Sequence, residues 1–116
     1  MHELSIALSI VDVAVEEVER QGGGGRVAAV HVKIGTLCGV VPDALASAFA
    51  LAREGTPLDR ADLVFENVPA VAYCSSCDFG YDPGPIPNFR CPTCGAPTPN
   101  LKQGRELEVT ALEIDS

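Results

Sequence analysis

Tryptophan is absent from this chain, aromatic residues make up 5%, and there is a single Met. A core with few rings must be built mainly from Val, Leu, Ile and Ala, and the 47% hydrophobic share is enough for a modest one. Positive charge is also scarce. Eight Lys and Arg face sixteen Asp and Glu, a net charge of −8. Phosphate affinity needs clustered Lys and Arg, so this balance argues against nucleic acid as the main partner. It equally disfavours an anionic membrane surface. No apolar run approaches the roughly 20 residues a membrane span needs. The first residues include Glu3 and Asp12 and lack a basic segment, so no signal peptide is expected. Catalytic signatures are missing too. There is no Ser/His/Asp arrangement and no dinucleotide fingerprint, and Gly22–Gly25 lacks the Lys and Ser/Thr of a phosphate cradle. The charge, hydropathy and missing leader lead us to expect a soluble cytoplasmic protein. At 116 residues it should be one domain with at most a small appendage.

What is present begins with "MHELSIALSIVDVAVEEVER". Leu4, Leu8, Val11, Val15 and Val18 recur every three or four residues beside Ala7 and Ala14, which predicts one apolar helix face. Gly22–Gly25 should end that helix. In "RVAAVHVKIG", Ala28, Val30, Val32 and Ile34 alternate with Val27, Ala29, His31 and Lys33, as in a half-buried strand. A second helix is expected after Pro42, with Leu45, Phe49 and Ala52 inward and Asp43 complementing its N-terminus. "ADLVFENVPAVAY" supplies strand material interrupted near Pro69, and "GRELEVTALEI" a closing strand with Leu107, Val109 and Ala111 on one face. The expected fold class is α+β: a sheet of about three strands packed with two helices, plus an inserted zinc-ribbon-like unit.

That insert holds the strongest motif. "CSSC" (Cys74, Cys77) and "CPTCG" (Cys91, Cys94) are two C-x-x-C pairs, and each can present two thiolates from one tight turn. Facing each other, they make a tetrahedral site with no open position, which points to structural zinc. A rubredoxin-type iron site and a redox dithiol pair remain alternatives. Gly95 suits a knuckle that needs an unusual backbone angle after its last cysteine. The residues between the pairs have little apolar material, so a metal should organise them.

The chain start is a weaker motif. Met1 offers a free amine, and His2 an amide nitrogen and an imidazole. Together they form a planar array suited to Ni(II) or Cu(II), with the Glu3 carboxylate beside it. The plainer reading makes His2 a solvated residue and Glu3 a first-turn acid. His31 reads as a surface or edge histidine. Cys38 reads as a small buried apolar residue, and more sharply as a redox-sensitive thiol or transient metal ligand.

Taken together, "MHELSI", "VHVKIGTLCGVVPDAL", "GT" (Gly55, Thr56), "VPA" (Val68 to Ala70), "CSSC…CPTCG" and "GREL" resemble the HypA-type nickel metallochaperones of hydrogenase maturation. The resemblance spans essentially the whole chain. It implies a nickel-binding α+β domain over 1–72 and 100–116 and a zinc domain over 73–99. It implies His2 as the principal nickel ligand, supported by Met1 and Glu3, and Cys74, Cys77, Cys91 and Cys94 as zinc ligands. Asp43 matches an acidic position expected near the nickel. The cofactors implied are structural Zn2+ and cargo Ni2+. The implied partners are a nickel-delivery GTPase and the hydrogenase large subunit, and a homodimer stays open. Cys38 departs from the pattern, standing where Ser or another small residue is expected. A zinc-ribbon interaction module without nickel is the competing reading.

Overall fold

The computed structural model describes residues 3–84 and 86–115. Its elements are α1 (Glu3–Arg20), β1 (Arg26–Gly35), α2 (Pro42–Ala52), β2 (Asp62–Val68), β3 (Val71–Cys74), β4 (Phe79–Tyr81), β5 (Leu101–Gln103) and β6 (Leu107–Asp115). They form two three-stranded sheets, ordered β2-β1-β6 and β4-β3-β5. The expected sheet and two helices are therefore present. The cysteine segment adds a sheet of its own that composition did not disclose.

α1 ends where Gly22 and Gly23 take positive φ of 111° and 82°, and the Gly23 amide donates to the Val18 carbonyl at 2.9 Å. Its buried stripe differs from the expected one. Ala7, Ile10, Val11, Ala14 and Val18 are buried, while Leu4 and Leu8 are 49% and 47% exposed. The small Ala7 and Ala14 take the fully buried centre of the contact, which turns Ile10 inward and the two leucines to its flank. On α2, Leu45 and Phe49 are buried as expected, with Ala48 and Ala52 against the same core.

β1 and β2 pair in parallel, joined through α2, and β6 pairs antiparallel with β1 on the other side. A parallel pair cannot be closed by a tight turn, so a helix makes the crossover. Two irregularities in the β1·β6 ladder reset which side chains face the helices. Ala28 is passed over in the register, so Val27 joins Val30, Val32 and Ile34 in the core. Thr110 is likewise passed over, so Leu107, Val109, Leu112 and Ile114 all pack toward the core. Strict alternation had placed Ala111 with Leu107 and Val109. The bulge breaks that period, and Ala111 is exposed.

Pro69 lies where the chain leaves the first sheet for the second. Through backbone pairing the second sheet takes in Val71, Ala72 and Leu101–Gln103 beside the cysteine segment. The crossing strands are braced by the loop after β1. The Thr36 amide donates to the Val68 carbonyl at 3.0 Å, the Leu37 amide to Gly104 at 2.7 Å, and the Gly35 amide to Glu106 at 2.7 Å. A Cβ on Gly35 would lie 2.3 Å from the Gly104 carbonyl, and one on Gly104 2.6 Å from Ala70 Cα. Only glycine permits backbones this close. "IGTL", "VPA" and "GREL" thus meet at one junction, 30 to 70 residues apart in sequence (about, from the residue numbers) and adjacent in space.

Candidate metal centres

The second sheet builds one centre. Cys74 ends β3, Cys77 follows in the turn into β4, and Cys91 and Cys94 come from the opposite loop. The four sulfurs lie within 4.8 Å of one another. Cys74 Sγ is 3.7 Å from Cys94 Sγ, and Cys91 Sγ is 3.9 Å from Cys77 Sγ. A disulfide needs about 2.05 Å, so these are free thiols. A tetrahedron with metal–sulfur bonds of about 2.3 Å has an edge of about 3.8 Å. The spacing therefore fits a divalent cation at the centre of four sulfurs, and zinc suits this donor set.

Backbone geometry makes the two knuckles alike. Gly95 follows Cys94 with φ 73°, and Asp78 follows Cys77 with φ 54°. Gly95 fulfils the expectation drawn from the sequence. Asp78 has no place in that reading, although Asp is among the few residues that tolerate the left-handed region. Its carboxylate accepts a hydrogen bond from the Tyr73 hydroxyl, which holds the turn. Behind the second knuckle, the Tyr81 hydroxyl meets Thr98 Oγ1 and donates to the Asn88 carbonyl at 3.0 Å. Thr98 is 2% exposed, and its amide donates to Phe89 at 2.8 Å. Asp78, Tyr73, Tyr81 and Thr98 are the supports that motif spacing could not supply.

Crowding splits the sulfur acidities. The hydrogen bond with Cys94 and burial push the Cys77 thiol up to about 12. Burial pushes Cys91 up as well, but the amides of Cys94 and Thr93 outweigh it and bring the thiol down to about 6. The Thr93 amide lies 3.4 Å from Cys91 Sγ. For Cys94 the Ala96 amide favours the thiolate, but the Cys74 and Cys91 sulfurs outweigh it and raise the thiol. A bound cation takes the place of these shared protons, so cation affinity falls as pH falls.

The second expected centre is only partly on view. Met1 and His2 lie outside the described residues. Glu3 opens α1 and is half-buried, and Asp43 is exposed in the first turn of α2. Among the described residues, the four cysteines are the only group of three or more His, Cys, Asp or Glu gathered closely enough to hold a metal. Cys38 is half-buried, short of the full burial its plainer reading expects, and packs against the main core. His31 sits on the outer face of the first sheet with Nε2 2.8 Å from a Glu113 oxygen.

Fold and site together define the class: a small α+β protein whose second sheet carries a four-cysteine metal centre. Residues 1–114 match the family model described as hydrogenase/urease nickel incorporation, metallochaperone, HypA. The hydrogenase maturation factor HypA of Chloroflexus aurantiacus is 48% identical over 113 residues, covering 97% of this chain and 98% of that one. That of Deinococcus radiodurans is 48% identical over 114 residues, covering 94% and 89%. In structure, the chain resembles the Ni metallochaperone HypA from Helicobacter pylori, with a TM-score of 0.68, 23% identity and coverage of 98% and 97%. The chain belongs to the HypA family of nickel incorporation metallochaperones.

Proposed function

We propose that this protein binds Ni(II) at its N-terminus and helps insert it into the large subunit of [NiFe]-hydrogenase, working in the cytoplasm with a nickel-delivery GTPase. The observation that carries this reading is membership of a nickel-incorporation family over residues 1–114, together with a chain that opens Met1-His2-Glu3. The Met1 amine, the His2 amide and the His2 imidazole form a planar nitrogen set suited to square-planar or tetragonal Ni(II). Glu3, at the first turn of α1, and Asp43, at the first turn of α2, are candidates for a further ligand. Cys74, Cys77, Cys91 and Cys94 hold structural zinc in this proposal, which keeps the soft sulfur donors away from the cargo. In this proposal the cargo unit comprises 1–72 and 100–116 and the zinc unit 73–99, with the second sheet spanning the boundary through β3 and β5. No substrate bond is made or broken, so the protein is a carrier and not an enzyme.

A carrier must also release its metal. A terminal site of amine, amide and imidazole exchanges more readily than a closed tetrathiolate. Because nickel must displace protons from all three nitrogens, its affinity falls as pH falls. The test is calorimetric titration of untagged, zinc-loaded protein with nickel. Wild type should bind nickel, and His2→Ala or acetylation of the terminus should abolish that binding with zinc content unchanged. Unchanged nickel affinity in either form contradicts the proposal and favours an interaction module without nickel.

A further inference from the structure

In the order β2-β1-β6, β6 is an edge strand: among the described residues it pairs with β1 alone. At about 3.4 Å per residue, nine residues of free edge extend for about 30 Å. Beside this edge runs an apolar groove of about 480 Å³ between Ile6, Ile10 and Val13 of α1 and Leu107 and Val109 of β6. A second hollow continues it from Val13 along Leu112 and Ile114. The β6 side chains there are only half-buried, and Val13 is 51% exposed. Glu108, Glu113 and Asp115 occupy the alternate positions and are exposed, and β6 has no Lys or Arg.

We propose that this edge receives an extended segment of another protein, one in which apolar residues alternate with Lys or Arg. An added strand would complete the free backbone ladder of β6. Its inward side chains would fill the groove against α1. Its outward ones would lie about 4.5–5.5 Å from the acidic side chains of β6, the distance at which opposite charges across a strand pair attract. A second copy of this chain is the wrong occupant. Its β6 would set acids directly opposite acids, which is destabilising. α1 would add Asp12, Glu16, Glu17 and Glu19, and its Arg20 is already engaged by Glu17 at 2.8 Å. Charges on an edge also guard against aggregation, but a guard needs no half-open apolar groove beside it. The inference rests on the sheet and groove and is independent of the nickel reading.

The test uses full-length, untagged, zinc-loaded protein and synthetic nine-residue peptides, with amide hydrogen exchange as the readout. A peptide alternating Val and Lys should slow exchange of β6 amides at least tenfold while leaving β2 unchanged. A Val and Glu peptide, or the Val and Lys peptide with a central Pro that removes a ladder donor, should have no such effect. Glu108→Lys combined with Glu113→Lys should reverse the preference toward the Val and Glu peptide. Absence of β6 protection by the Val and Lys peptide overturns the proposal, as does equal protection by both peptides. Protection of β6 that grows with protein concentration alone would make a second copy the occupant. Shifts at Ile6 and Val13 without β6 amide protection would make the occupant helical. Either result also overturns it.

Discussion

In the first sheet, its helices and the loop before β2, Val30, Val32, Leu45, Phe49 and Leu58 are at most 2% exposed. In and around the second, the buried positions among the described residues are small or sulfur-bearing: Ala70, Ala72, Cys74, Pro83, Cys91, Thr98 and Gly104. Each large aliphatic or aromatic side chain removed from water contributes about 1.5–3 kcal/mol, and among the described residues the second sheet buries none fully: Val71, Tyr73, Phe79, Tyr81 and Leu101 are half-buried. A zinc ion bound by cysteine in a small unit contributes on the order of 10–16 kcal/mol. Apolar packing therefore holds the part proposed to carry cargo, and in the proposed zinc-bound protein a tetrathiolate holds the other. The two are joined by a brace in which Gly35 packs on Gly104 and Gly104 on Ala70, with no room for a side chain on either glycine.

The comparison breaks most completely at the metal. Stripping zinc with a chelator, or replacing Cys91 with Ser, should abolish amide protection across β3, β4 and β5 while β1 and β6 stay protected. Hydrogen exchange on treated and untreated protein reads both sheets at once. Next comes the opposite perturbation. Leu45→Ala should cost about 2–5 kcal/mol of stability by chemical denaturation, with the cysteine centre still holding one zinc by metal analysis. Gly35→Ala strikes the brace. The added Cβ would sit 2.3 Å from the Gly104 carbonyl, and overpacking of this kind costs about 1–3 kcal/mol. It should weaken protection at Leu37 and Gly104 before either sheet. The smallest effect belongs to Gly95→Ala. Nothing lies within 4 Å of the new methyl, and only the φ of 73° is strained. A left-handed non-glycine residue costs about 1–2 kcal/mol, so zinc affinity should fall roughly tenfold, measured by competition with a chromophoric chelator.

The cysteine centre was legible because metal ligation needs fixed residue types at fixed spacing, and Gly95 followed from the knuckle. Both helices were legible from periodicity, but the buried face of α1 was set by contacts that periodicity cannot contain. Ala7 and Ala14 take the closest approach, and Leu4 and Leu8 stay outside. The bulges at Ala28 and Thr110 escaped for the same reason. They are properties of a strand pair, and neither strand alone reveals them. Asp78 carries no signal in the sequence; its backbone conformation and its bond to Tyr73 place it in the first knuckle. The parallel pairing of β1 with β2 likewise depends on where the α2 crossover lands.

In the proposed loaded protein, two metals occupy two regions by different chemistry. X-ray absorption at the nickel edge, on zinc-loaded untagged protein with one equivalent of nickel, tests it most directly. The account predicts a nickel spectrum of nitrogen and oxygen donors without sulfur, lost in His2→Ala, with zinc remaining in a four-sulfur environment. Sulfur bound to nickel, or zinc displaced by it from Cys74, Cys77, Cys91 and Cys94, would contradict it.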